Sequence, residues 1–188
     1  MNIFIHAILS CIIILSLNLP DASAQEPDAE HLAKEIKSKG AREVIAELMS
    51  DDQWTEFEKV CDKIETGNRE WLEVARLLAP GSDAAAAESL TMSVARALPK
   101  SPREVLALIA LSEHDHGKEF TIDNICVSPY IENEPGVEER HLLTTSNVLE
   151  STDTSNDPHL NCLRLKCLEN IRGIIDNAKK HGIWKEKE

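Results

Sequence analysis

Five cysteines and seven histidines carry most of the reactive chemistry in this 188-residue sequence. Cys11 lies inside an apolar N-terminal run that marks the chain for export, which leaves Cys61, Cys126, Cys162 and Cys167. An even number of cysteines in an oxidising compartment points to two disulfides, and four cysteines allow three pairings. Cys162 and Cys167 are five residues apart on one predicted helix. At roughly 100° per residue they lie about 140° apart around its axis, so they do not bridge each other. Two pairings remain, and each ties the last helix back to the earlier chain. Cross-links closing loops of this size stabilise by about 3–5 kcal/mol each in the chain-entropy model. Redox or metal work is the competing reading, but the sequence has no Cys-x-x-Cys and no sign of a βαβ unit.

The sharpest polar cluster is Glu113-His114-Asp115-His116. His114 and His116, two apart, chelate one metal ion if the backbone is extended or turning, and neighbouring carboxylates suit zinc, nickel or copper. A complete site needs further ligands, which His141 or His159 supplies only through the fold. The competing reading is a solvated loop with local carboxylate–imidazole contacts. Ser128-Pro129-Tyr130 beside Cys126, with Glu132 and Glu134 following, offers a rigid recognition edge around the single tyrosine. The plainer reading has Tyr130 capping the core. Trp54 and Trp71 read as core anchors at helical spacing. Trp184, beyond Gly182 in a charged tail, reads as the exposed tryptophan and a third partner-contact candidate beside Tyr130 and Glu132.

Catalysis finds little support. There is no Gly-x-Ser-x-Gly, no His-Glu-x-x-His and no phosphate-cradling glycine loop, and no cofactor is implied. Carboxylate pairs such as Asp51-Asp52 and Glu138-Glu139 are adjacent, and on a helix adjacent side chains do not face each other. The chain has 20 basic and 33 acidic residues, a formal charge of -13. Such a surface repels the phosphates of nucleic acids and of anionic lipids. It suits a soluble protein and a basic protein partner.

Ile3 to Leu19 is apolar apart from His6, two serines and Asn18, and it ends at Pro20. Ala22-Ser23-Ala24 follows, with small residues at -3 and -1 of a signal-peptidase site, so cleavage is expected after Ala24. The n-region is atypical in having no Lys or Arg. A retained anchor is the alternative, but the run is short for a span of about 20 residues and lacks a Lys/Arg-marked end. Residues 1–24 are thus expected to be a cleaved signal peptide and 25–188 a single domain, periplasmic or secreted. Cleavage removes Asp21 and no basic residue, so the acidity persists.

The elements that must position these groups read as consecutive helices. Trp54, Phe57, Cys61 and Ile64 form one stripe of a helix starting near Asp51 and ending at Gly67. Asn68 and Asp83 read as caps of the next two helices. Ser101-Pro102-Arg103-Glu104 reads as a capping box. Ile125 to Ile131, broken by Ser128-Pro129, is the only plausible extended piece. Glu150 to Asn156 reads as a loop. Asp157-Pro158 opens the last and longest helix, which Lys179, Lys180, His181 and Gly182 close. The expectation is all-α: an irregular bundle or short solenoid of about seven helices, stapled by disulfides.

A resemblance joins these pieces. Asp51-Asp52-Gln53-Trp54, Ile64-Glu65-Thr66-Gly67, Trp71-Leu72 and Leu78-Ala79-Pro80-Gly81-Ser82-Asp83-Ala84 come in order. Ala97-Leu98-Pro99-Lys100-Ser101-Pro102, Val105-Leu106, Ile125-Cys126-Val127-Ser128-Pro129-Tyr130-Ile131-Glu132 and Cys167-Leu168 follow. Over residues 51–172 this resembles a group of small uncharacterised exported bacterial proteins. The resemblance implies a helical periplasmic protein with a Cys126–Cys167 disulfide and no known activity. It leaves Cys61 and Cys162 as additions to the pattern, expected to pair with each other. The functional expectation is a soluble, non-enzymatic periplasmic protein that binds another protein, of adaptor, inhibitor or immunity type. The alternative is a metal-binding protein using the His114/His116 loop.

Overall fold

Short polar side chains start helices where the sequence places them. Asn68 accepts from the Glu70 amide at 2.8 Å, Asp83 from Ala86 at 3.1 Å, and Asp157 from His159 and Leu160 at 3.1 and 3.0 Å. Each satisfies an amide that the first helical turn leaves without a partner. The computed structural model describes residues 28–115, 118–130 and 136–184. Among these there are nine α-helices, one 3-10 turn and no strand. The helices are α1 (Ala29–Lys39), α2 (Ala41–Leu48), α3 (Thr55–Ile64), α4 (Arg69–Leu78), α5 (Ala84–Ala97), α6 (Pro102–His114), α7 (Ile122–Ile125), α8 (Val137–Ser151) and α9 (Pro158–Lys180). The 3-10 turn Ala79–Gly81 links α4 to α5. The all-α class holds; the count exceeds seven partly because α7 is a single turn.

The helices form two rows. In one, α1 packs on α4, α4 on α6, α6 on α9 and α9 on α8. In the other, α2 meets α3, α3 packs on α5 and α5 on α7. The rows close on each other through α2–α4, α3–α4, α5–α6 and α7–α9 contacts. Every α-helix contributes to one continuous core, whose fully buried members include Phe57, Ile64, Leu78, Leu90, Leu106, Ile109, Leu142 and Leu163. Each such side chain stabilises by about 1.5–3 kcal/mol relative to exposure. At Gly81 the 3-10 turn approaches α2 so closely that a Cβ there would lie 2.3 Å from the Arg42 nitrogen.

Four local expectations are corrected. The piece expected to be extended starts at Ile125, which is the last residue of the helical turn α7, and residues 126–130 form no strand. Ser101 makes no side-chain cap, because its side chain packs against Gly67, where a Cβ would lie 2.6 Å from Ser101 Oγ. The helix expected from Asp51 starts only at Thr55, after a turn in which Trp54 has φ 53° and ψ 33°. The segment 150–156 is partly helical, and its Thr154 is buried, donating to Asn161 Oδ1 at 3.0 Å and accepting from Arg164 Nε at 3.2 Å. The segment 1–24, expected to be a signal peptide, lies outside the described residues, among which no helix is long and apolar enough to cross a membrane.

Cys126 and Cys167 form the disulfide, joining the end of α7 to the middle of α9. The expected Cys61–Cys162 bridge is absent. Cys61 is a buried free thiol on α3 and Cys162 an exposed free thiol on α9. Cys61 points across to α5, where it meets Ser93, and Cys162 lies on the solvent side of a helix whose inner side carries Leu163 and Cys167.

Candidate functional site

The turn before α3 is organised by Asp51. Its carboxylate accepts from the Gln53 and Thr55 amides at 3.0 and 2.9 Å, and its carbonyl accepts from the Trp54 amide at 3.2 Å. These backbone donors, Thr55 foremost, hold the Asp51 carboxyl below its ordinary range. Closing the turn this way leaves Trp54 in the left-handed region, the only non-glycine residue with positive φ among those described. A bulky side chain there is strained by about 1–3 kcal/mol. Trp54 is also 38% exposed. The expected core anchor is therefore a surface tryptophan, set at one end of a groove. Trp71, by contrast, is buried as expected.

The groove runs between α3 and α5 and has a volume of about 370 Å³. Trp54, Phe57 and Met92 supply apolar wall, Cys61 and Ser93 lie where the helices meet, and Glu58, Asp62 and Glu65 bring carboxylates. Arg96 closes the far end, its Nη1 donating to Glu65 Oε1 at 2.6 Å. Lys100 Nζ donates to the Glu65 carbonyl at 2.7 Å. Burial pushes the Cys61 thiol up to about 11, and the Glu65, Asp62 and Glu58 carboxylates add to that push against a hydrogen bond with Ser93. At neutral pH Cys61 is a protonated wall residue and not a thiolate nucleophile.

Arg96 also reaches the disulfide loop. Its guanidinium carbon stands 5.2 Å from the Tyr130 ring centroid, and its Nη2 lies 3.5 Å from the Pro129 carbonyl. Tyr130 also meets His141 of α8 edge-on, ring centroids 5.5 Å apart. Burial, then the charges of Arg96 and Lys100, lower the His141 pKa to about 4. Glu65, Arg96, Tyr130 and His141 thus make one chain of contacts from α3 through α5 and the loop to α8.

No family model, curated protein or solved structure matches this chain. The reading of the site rests on its own geometry.

The other sequence-selected residues fall in different places. Tyr130 is half-buried, with Arg96 and His141 against its ring. Trp184, expected to be exposed, packs partly buried against the core, and its Nε1 is buried without a hydrogen-bond partner among the described residues. His114 is exposed in the last turn of α6, while His116 and Glu132 lie outside the described residues. Of the carboxylates beside His114, Glu113 Oε2 lies 3.7 Å from His159 Nε2 and Asp115 accepts from Arg76 at 3.2 Å. Among the described residues no group of three or more His, Cys, Asp or Glu side chains is placed to hold a metal ion.

Sequence reasoning missed Glu58, Asp62, Glu65, Met92 and Arg96. The readable signal is carboxylate spacing: Glu58 and Asp62 are four apart and share a helix face, unlike the adjacent pairs Asp51-Asp52 and Glu138-Glu139. Arg96 carried no such signal, since its partners are 31 to 34 residues away.

Proposed function

We propose that this is an exported, soluble, non-enzymatic protein of the periplasm or cell exterior that binds another protein through the α3–α5 groove, as an adaptor, inhibitor or immunity-type protein. The observation that carries the reading is Trp54. A tryptophan held at φ 53° with more than a third of its surface exposed contributes less to the fold than a well-packed core anchor. Strain of this kind concentrates at functional sites, and exposed tryptophans are among the strongest contributors to protein interfaces. The four-residue turn built on Asp51 presents the indole beside a groove. The small number of glycines and the protonated Cys61 agree with a binding role.

The test exploits the backbone. Glycine adopts the left-handed region without penalty, so Trp54→Gly removes the indole while relieving the turn. The tagged mature protein and Trp54→Gly are each incubated with periplasmic extract of the source cell. The expected result is a partner retained by the wild type, released by added salt, and lost from the variant while its circular dichroism is unchanged. Equal recovery by both proteins would overturn the assignment of the groove.

A further inference from the structure

Resting on that reading, we propose that the groove receives a lysine or arginine side chain of the protein partner, with its aliphatic stem against Trp54, Phe57 and Met92 and its charge between Glu58 and Asp62. The argument begins with charge. Three carboxylates line the groove against one guanidinium. Arg96 is committed to Glu65 at 2.6 Å, and Lys100 adds a hydrogen bond to the same residue's carbonyl. The nearby Lys59 is committed to Glu56 at 2.7 Å. Glu58 and Asp62 are both exposed and form no ion pair among the described residues. They sit one helical turn apart on α3, where like charges repel each other. A cation between them turns that repulsion into two attractions.

Apolar wall selects what carries the cation. Glu58 and Asp62 are four residues apart and lie along one line of α3, and Trp54, in the turn just before that helix, lines the same groove. A long aliphatic stem covers the apolar wall while its charged head stays among the carboxylates and water. Beside an indole face a cation is drawn further by the negative face of the ring. A metal ion would leave the aromatic wall unused, and an anion or an uncharged apolar side chain would leave both carboxylates unpaired. The volume of about 370 Å³ is at the small end of ligand sites, which run roughly 300–1,000 Å³, and suits one side chain better than a folded cofactor. A free polyamine shares the cationic chemistry but has no flanking backbone to pack on the exposed face of Trp54.

The test titrates the full mature protein, labelled with nitrogen-15, with three probes: a capped lysine-rich peptide, a capped glutamate-rich peptide of equal length, and spermidine. The Trp54 indole signal is assigned by its loss in Trp54→Gly. The lysine peptide is expected to shift that signal and the amides of residues 58–65 saturably, leaving α8 and α9 unmoved. Raising salt to about 0.5 M should weaken the affinity about tenfold. The isosteric pair Glu58→Gln with Asp62→Asn, both exposed and able to keep the fold, should weaken it at least about tenfold. Shifts scattered over the acidic surface, or an affinity indifferent to the paired variant, would overturn the inference. So would spermidine binding more tightly than the peptide. Partner capture that depends on Trp54 but not on Glu58 and Asp62 would sink this inference alone; capture independent of Trp54 would sink the reading beneath it.

Discussion

His141 presents an imidazole to a tyrosine ring on one side of α8 and to the positive field of Arg96 and Lys100. Burial and those cations hold its pKa at about 4, against an ordinary value of 6.5. The sign of the consequence follows directly. Above 6.5 the imidazole is neutral whether the chain is folded or not, and its packing is fully available. Between 6.5 and about 4 the unfolded chain takes up the proton and the folded chain does not, so stability falls as the medium is acidified. The loss amounts to no more than about 3 kcal/mol. Asp51, Glu73 and Asp153, held below their ordinary range by hydrogen bonds, begin to lose their contributions only as the pH falls to the ordinary carboxylate values of 4.5 for Glu73 and 3.8 for the two aspartates, at the acid edge of this window. Urea unfolding at pH 7 and near pH 4.5 should therefore show a drop for the wild type. His141→Phe, which keeps an edge-on ring against Tyr130, should remove most of it. An unchanged slope in the variant would mean that His141 does not govern this range. Tyr130 was legible as a residue of interest because it is the only tyrosine, but its partners were not. Arg96 and His141 are brought to it by tertiary packing of α5 and α8, and no local spacing encodes that meeting.

The helices themselves were the most legible part, because their causes are local. Asn68, Asp83 and Asp157 act on amides two or three residues away, and the stripe of Leu160, Leu163, Cys167, Ile171, Ile174 and Ala178 is a property of one helix, buried throughout except at Ile174, which is partly buried against the core. Trp54 escaped for an equally local reason that periodicity does not see: the side chain of Asp51 closes a turn, delays α3 to Thr55 and rotates the indole out of the stripe. The cysteines divide the same way. That Cys162 and Cys167 face apart could be read from one helix, and the structure has one exposed and the other buried. Which helix each would meet depended on the order of the two rows, and Cys61 meets α5 instead of α9. The Cys126–Cys167 link spans 41 residues and contributes about 4 kcal/mol in the chain-entropy model. A reducing agent should accordingly lower the urea midpoint of the wild type, and Cys162→Ser should preserve that response in full. Loss of the response in Cys162→Ser would show that Cys162 belongs to the bond and would reverse the assignment of the free thiols.

Across the whole molecule the charge of -13 acts on folding and on association with opposite signs. Excess carboxylates repel one another in the folded state, and the compact form bears that repulsion more than the expanded chain does. The visible ion pairs offset little of it. Lys34–Glu30, Lys39–Glu47, Lys59–Glu56 and Arg172–Glu150 are exposed, and pairs of that kind contribute about 0–1 kcal/mol each. Salt shortens the screening length from about 30 Å at 0.01 M to about 8 Å at physiological strength, so it weakens the long-range repulsion more than contacts at 2.6–2.8 Å. The melting temperature of the free protein should therefore rise by a few degrees across that range, a gain of about 1 kcal/mol. Over the same range the association rate with a basic partner should fall, since the same field steers the encounter. Calorimetry and stopped-flow binding measured in one salt series separate the two effects. If salt moved stability and association in the same direction, the acidity would not be acting as a long-range field. The surplus would then reduce to local contacts, with Glu58 and Asp62 as the carboxylates that matter.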